Sequence, residues 1–398
     1  VCMKASLLKI RQLSLTKEIK PEYIYAIIVS SIVLKIVFIF SVGLTPDEYY
    51  YFSYASHLQS SYFDHPGMVG WLIRIFTFNL NLHSTFYTRL PSLLTGLITL
   101  RIVYQTGLLL RDRLSGLAAI VLYSCTPYFL LYTGVLILPD APLMFFWFLS
   151  FYLFVKFLKT EKGLYLILFG ITASFAILSK YTGVFLVVGA LGYLLLFKSK
   201  TFIKPVFLAF IFCSLLVLTP LIYWNINNDW LGFQFHLNRV TPNQELNFIG
   251  ANLSTAGLLL LNLPVFIILV ILLLKKGVRC FKKNDILLIL FSLPLIITFI
   301  STSFLKESLP HWGAPGFATL IFLCAYNPHI TSKMYFRLGS VFISLMVFSL
   351  SLFYFLIKND SQIIDEETRA ENALFLNENG GAIFKKYFEK KYMNQSNT

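Results

Sequence analysis

Apolar runs long enough to cross a bilayer, about 20 residues each, recur along nearly the whole chain, beginning with "YIYAIIVSSIVLKIVFIFSVGL" at Tyr23–Leu44. Of 398 residues, 57% are hydrophobic and mean hydropathy is +0.71. Soluble domains carry roughly 45–50% apolar residues, so the sequence predicts an all-α polytopic membrane protein. Hydropathy and breaker residues mark about eleven transmembrane helices, at 23–44, 88–110, 114–137, 141–158, 164–180, 183–197, 204–223, 254–274, 285–304, 312–328 and 335–357. The first run is too long for the apolar region of a cleaved signal and has no small-residue cleavage site, so it is expected to persist as a span.

The cations orient these spans. With the N-terminus inside, twenty Lys and Arg fall in inside segments, among them Lys4, Arg11, Arg111, Arg113, Lys198 and Lys204. Leaving aside the tail, only Arg74, Arg89, Lys180, Arg239 and Lys306 fall in outside loops. The positive-inside rule then predicts a cytoplasmic N-terminus at 1–22, a membrane domain at 23–357 whose first periplasmic loop is 45–87, and a short periplasmic tail at 358–398. The net charge of +14 becomes a topology signal, placed in short turns beside anionic headgroups. No basic patch with interleaved aromatics stands apart from the membrane, which argues against nucleic acid as a partner. None of the five cysteines falls in an outside loop, so neither disulfides nor a cysteine metal site is expected. No internal repeat is evident, which weakens inverted-repeat transporter architectures.

The uncommon polar residues gather on one side of the membrane. "GLTPDEYYYFSYASHLQSSYFDHPGMVGW" brings Asp47, Glu48, Asp64 and His65 to the first outside loop. Asp140 in "LILPDAPL", Lys180 in "LSKYTG", the run from Tyr223 to Val240 and "FLKESLPHWGAPG" lie on the same face. A carboxylate at a span end is costly unless hydrated, paired or used; the bland reading of Asp47 and Asp140, each following a proline, is helix capping. Likewise Lys180 could snorkel from a span end, Arg239 could pair with Asp229 or Glu245, and Arg89 could cap the next span. His236 and His311 read as hydrogen-bonded structural histidines. "GMVGWLIRIFTFNLNL" reads as an interfacial helix on the outer leaflet, and the outer tryptophans, Trp147 included, as interface anchors and platforms for sugar rings. Asp47 with Asp140 could hold a divalent cation, although no further ligand spacing supports one, and neither a metal nor a cofactor is expected.

Taken in order, "TPDEYYYFSYASHL", "SYFDHPGMVGWLIR", "TRLPSLL", "PDAPLMFFW", "LSKYTGVFL" and "YWNINNDWLGFQFHLNR" resemble the bacterial lipid-carrier-dependent glycosyltransferases related to dolichyl-phosphate-mannose protein mannosyltransferases, a group that includes the lipid A aminoarabinose transferases. The resemblance runs from about residue 20 to 320 and implies a GT-C fold with interfacial helices in the first outside loop. It implies a catalytic role for Asp47, as base or acceptor-orienting group, with Glu48 beside it and Asp140 near it in the fold. Asp64 and His65 would position acceptor or carrier phosphate; Lys180 and Arg239, with Arg89 and Lys306, would face that phosphate. This chain has Gly67 where many relatives have a second proline, and its tail is shorter than a larger carboxy-terminal outside domain found in relatives. The implied donor is a polyprenyl-phosphate sugar and the acceptor a glycolipid or glycan, with lipid A or lipopolysaccharide first, at the periplasmic face of a bacterial inner membrane. Transfer without a nucleotide needs no Gly-rich phosphate loop, and none is present. The alternative is a membrane transporter or lipid flippase, which would need ionisable residues near the midplane or matching broken helices.

Overall fold

Proline, glycine and the cap residues decide where each apolar run stops being one helix. The computed structural model describes residues 21–82, 84–240, 246–276, 282–306, 308–325, 337, 339–345 and 347; the expected cytoplasmic N-terminus, most of the span expected at 335–357 and the tail at 358–398 lie outside them. Helix α1 is Pro21–Ser41. The first loop holds two short helices, α2 at Pro46–Ser56 and α3 at Met68–Phe76. Helix α4 (Thr85–Leu110) follows, started by the Ser84 side chain, then α5 (Arg113–Cys125), started by Asp112. The run expected as one span at 114–137 stops at Cys125, because Pro127 disfavours helical geometry in the residue before it; a π-helical turn, Tyr128–Tyr132, takes over.

Helix α6 (Asp140–Thr160) is the hub of the bundle. Its Trp147, Phe148, Phe151 and Phe154 are fully buried, and Phe151 stacks on Phe322 with centroids 5.7 Å apart. Trp147 is therefore core rather than an exposed platform for a sugar. Helices α7 (Gly163–Ser179), α8 (Val184–Phe197) and α9 (Pro205–Asn227) complete this half. Helix α9 turns Leu208, Phe212 and Leu216 outward, each more than 60% exposed, as a lipid-facing helix should. After α10 (Leu231–Val240), the expected span 254–274 proves to be two helices, α11 (Phe248–Leu261) and α12 (Leu263–Lys276), bent by 93° at Asn262. Pro264 lies just inside the second helix, where proline is tolerated. Helices α13 (Lys283–Leu290) and α14 (Leu293–Ser303) together reach span length. The run expected at 312–328 is instead 3₁₀ turns at Pro310–Trp312 and Ala314–Phe317, then α15 at Leu320–Ala325. Gly313, Pro315 and Gly316 break its periodicity.

Among the described residues five helices are long and apolar enough to cross a membrane, six if the bent pair counts as one, with further shorter apolar helices. The chain is a multi-pass α-helical membrane protein.

Candidate active site

The site is built outward from a buried ion pair in the first loop. Thr45 caps α2: its side chain accepts from the Glu48 N–H at 3.3 Å, and the Glu48 carboxylate accepts from the Thr45 N–H at 2.8 Å. The same carboxylate takes the Ile137 N–H at 3.0 Å and two guanidinium bonds from Arg89, at 2.7 and 2.6 Å. Arg89 also donates to the carbonyls of Val42 and Gly43, both at 2.7 Å. Glu48 and Arg89 are each 0% exposed. Both expectations are corrected here: Glu48 is not presented to a substrate and Arg89 does not face a carrier phosphate, because both are fully buried and bonded to each other and to the surrounding backbone. The pair joins α1, α2, α4 and the segment before Asp140.

One residue earlier, about 100° around the helix, Asp47 is exposed. It makes no hydrogen bond or ion pair among the described residues. Partial loss of water, then the charges of Glu48 and Asp140, hold its carboxyl above the ordinary aspartate range, with Lys180 pulling the other way.

Asp140 opens α6 and is 1% exposed. Its two oxygens accept from the Lys180 ammonium at 2.8 Å and the Tyr128 hydroxyl at 2.7 Å. Lys180, 4% exposed, sits at the break between α7 and the 3₁₀ turn Tyr181–Gly183, where an extended backbone interrupts the helix. Neither residue is a snorkelling or capping group alone. The π-helical turn that ended the expected span supplies Tyr128, and also Tyr132, which stacks on His311 at 5.0 Å between centroids. Burial pushes the His311 imidazole down to about 4; Lys180 adds to that push and Asp140 opposes it.

Asp64 and His65 occupy a tight turn closed by the Ser61–Pro66 bridge and the Tyr62 N–H to His65 carbonyl bond at 3.0 Å. The Tyr54 hydroxyl donates to the Asp64 carboxylate, and His236 Nε2 lies 2.8 Å from the Asp64 carbonyl oxygen. Gly67 follows from its surroundings: a Cβ there would fall 2.8 Å from the Trp71 ring and 2.9 Å from the Gln59 carbonyl. That carbonyl accepts from Trp71 Nε1 at 2.9 Å, while the Gln59 side chain accepts from Trp224 at 2.8 Å. Two outer segments distant in sequence are thereby tied together.

Beside these groups lies a cavity of about 600 Å³. Its lining mixes polar groups, among them His65, Lys180, His236 and Lys306, with apolar side chains, Val184 and Phe185 from α8 and Leu295 and Phe299 from α14, which also contributes Thr298 and Thr302. Lys306 donates to the Asn238 carbonyl. Arg239 lies on α10, with its side chain outside the described residues. The sequence reading gave His311 only a structural role and passed over Tyr128, Tyr132 and Tyr181. The signal for His311 was its place in "LPHWGAP" on the same face as the carboxylates; the tyrosines gave no signal distinct from ordinary interface aromatics. No group of three or more His, Cys, Asp or Glu among the described residues is arranged to hold a metal ion.

Fold and site together define a polytopic helical membrane protein with carboxylates and cations gathered at one end of the bundle. Residues 64–224, less than half of the chain, match the family described as dolichyl-phosphate-mannose-protein mannosyltransferase. Among solved structures the chain is similar to ArnT from Cupriavidus metallidurans, in the apo state (15% identity, TM-score 0.62, covering 89% of this chain and 68% of that one). The structure of the same enzyme bound to undecaprenyl phosphate gives 14% identity and a TM-score of 0.64, covering 89% of this chain and 69% of that one. Comparison with curated protein sequences finds no match. The GT-C membrane fold expected from the motif resemblance therefore holds over most of the chain.

Proposed function

We propose that this protein is a glycosyltransferase that takes a sugar from a polyprenyl-phosphate carrier, of the undecaprenyl-phosphate type, and transfers it to an acceptor at the periplasmic face of a bacterial inner membrane. The observation that carries the reading is the mixed lining of the cavity, which puts Lys180, the partner of Asp140, and Lys306 in one space with apolar side chains of α8 and α14. A polyprenyl phosphate combines an anionic head with an apolar chain. The similar ArnT fold with undecaprenyl phosphate bound supports the same ligand class.

In this reading the acceptor oxygen attacks the anomeric carbon, the bond from that carbon to the phosphate oxygen breaks, and its electron pair leaves on the phosphate. Single displacement inverts the anomeric centre. Asp47, unpaired and raised in pKa, accepts the proton of an acceptor hydroxyl or orients an acceptor that is already an anion. Lys180, steadied by Asp140, stabilises the charge developing on the leaving phosphate, with Lys306 and Arg239 as further cations. We assign the acceptor to lipid A or another part of lipopolysaccharide.

The test is mass spectrometry of lipid A and polyprenyl-phosphate lipids from cells lacking the gene, complemented with wild type or Asp47→Asn. The expected result is a sugar absent from lipid A, restored by wild type alone, with the sugar-charged carrier accumulating. Accumulated carrier with unchanged lipid A moves the acceptor to another glycan or a protein. No change in either pool rejects the transferase.

A further inference from the structure

A second cavity, of about 320 Å³, lies at the other end of the bundle. Helix α6 has Asp140 at its start, and residue Glu161, just past its end, lines this cavity. Twenty-one residues of helix separate the two by roughly 31 Å, so this cavity opens on the opposite membrane face and has no part in the carboxylate site.

Two parallel helices begin there. Gly163 opens α7 and Pro205 opens α9, and the two starts touch: a Cβ on Gly163 would fall 2.6 Å from the Val206 side chain. Each helix start leaves N–H groups without intrahelical partners and adds partial positive charge. The residue preceding each is a lysine, Lys162 and Lys204, and neither helix has a side-chain cap. Lysine is electrostatically unfavourable at that end of a helix, and here it occurs at two touching ends.

Lys198 also lines the cavity, paired with exposed Glu161. Lys198 and Lys204 together lower the Glu161 carboxyl below its ordinary range, so two cations face one carboxylate. Thr201, only 4% exposed, lines the same cavity, and its hydroxyl takes no partner among the described residues. Next in sequence to the lining residues are exposed apolar side chains: Ile203 is 86% exposed, Leu164 61%, and Leu196, two residues before Lys198, 61%.

We propose that this cavity binds the phosphate of an anionic phospholipid headgroup in the leaflet opposite the carboxylate site. The two helix starts, Lys204 and the Thr201 hydroxyl would hold the phosphate. Ile203, exposed and adjacent to Lys204 at the start of the apolar helix α9, offers apolar contact that an acyl chain can use and free phosphate cannot, which favours a lipid. Glu161 keeps Lys198 occupied and competes with the ligand.

The experiment is native mass spectrometry of the full chain in detergent, titrated with phosphatidylglycerol or phosphatidylcholine. The bound phosphatidylglycerol fraction should fall at least threefold in Thr201→Val/Lys204→Gln and rise in Glu161→Gln, with phosphatidylcholine unaffected in both. Opposite shifts in two variants cannot come from misfolding. Displacement of phosphatidylglycerol by millimolar inorganic phosphate would keep the anion site but overturn the lipid as its occupant. Phosphatidylglycerol binding that both variants leave unchanged, or that phosphatidylcholine matches, overturns the proposal. Since no transfer is measured, failure here leaves the carrier-transferase reading standing.

Discussion

Adjacent acidic residues in "TPDE" have opposite fates because a helix turns about 100° per residue. Glu48 goes inward to Arg89, and Asp47 stays in solvent. Substituting Asp47 by Asn should cut transfer at least about 100-fold, the lower range for a lost general base, while leaving thermal unfolding near wild type. The rate should rise with pH along an acidic limb centred above the usual aspartate value of about 3.9, because the working form is the carboxylate and its pKa is raised. A limb at the ordinary position, or none, argues against Asp47 as the base. His311 gives a prediction of stability. Its pKa of about 4 lies below the usual value of about 6.5, so folding favours the neutral ring. That contribution is full above about pH 6.5 and is lost as pH falls toward 4. Unfolding temperatures of wild type and His311→Gln should therefore converge between pH 6.5 and 4.5; a constant difference would contradict the assignment.

Between elements, buried charge does the joining. Replacing Arg89 by Met strands the Glu48 carboxylate and should destabilise the fold by about 3–5 kcal/mol, with Glu48→Met/Arg89→Met recovering much of the loss; denaturation in detergent reads both. The sequence placed Asp47, Asp64, His65, Asp140 and Lys180 on one face from topology alone, and the structure brings these groups to one end of the bundle. It could not show that Arg89 is consumed, since a span-end arginine looks the same whether its partner is a phosphate or a carboxylate 41 positions away. Nor could it show the breaks at Pro127 and Asn262 in their full effect. Hydropathy sums over a window and is nearly blind to one residue that redirects a helix, yet the break before Pro127 is what carries Tyr128 to Asp140.

For the whole molecule, orientation is the quantity most easily checked. In a variant lacking its native cysteines, Asn228→Cys should react with a membrane-impermeant maleimide applied to spheroplasts, and Ser199→Cys should react only after permeabilisation. Both residues are exposed, at opposite ends of α9 and its preceding turn. The reverse pattern would invert the topology read from the charges. Helix α6 connects the two ends without a break, from Asp140 to a left-handed Glu161 at φ 56°. Its length of roughly 31 Å is close to the roughly 30 Å hydrocarbon core of a typical bilayer. A rod fixed at both ends acts as a gauge of membrane thickness. In bilayers of markedly shorter or longer acyl chains it must tilt, or draw one polar end into hydrocarbon, so the reach of the carboxylate site toward the surface is set by the lipid around it as well as by the chain.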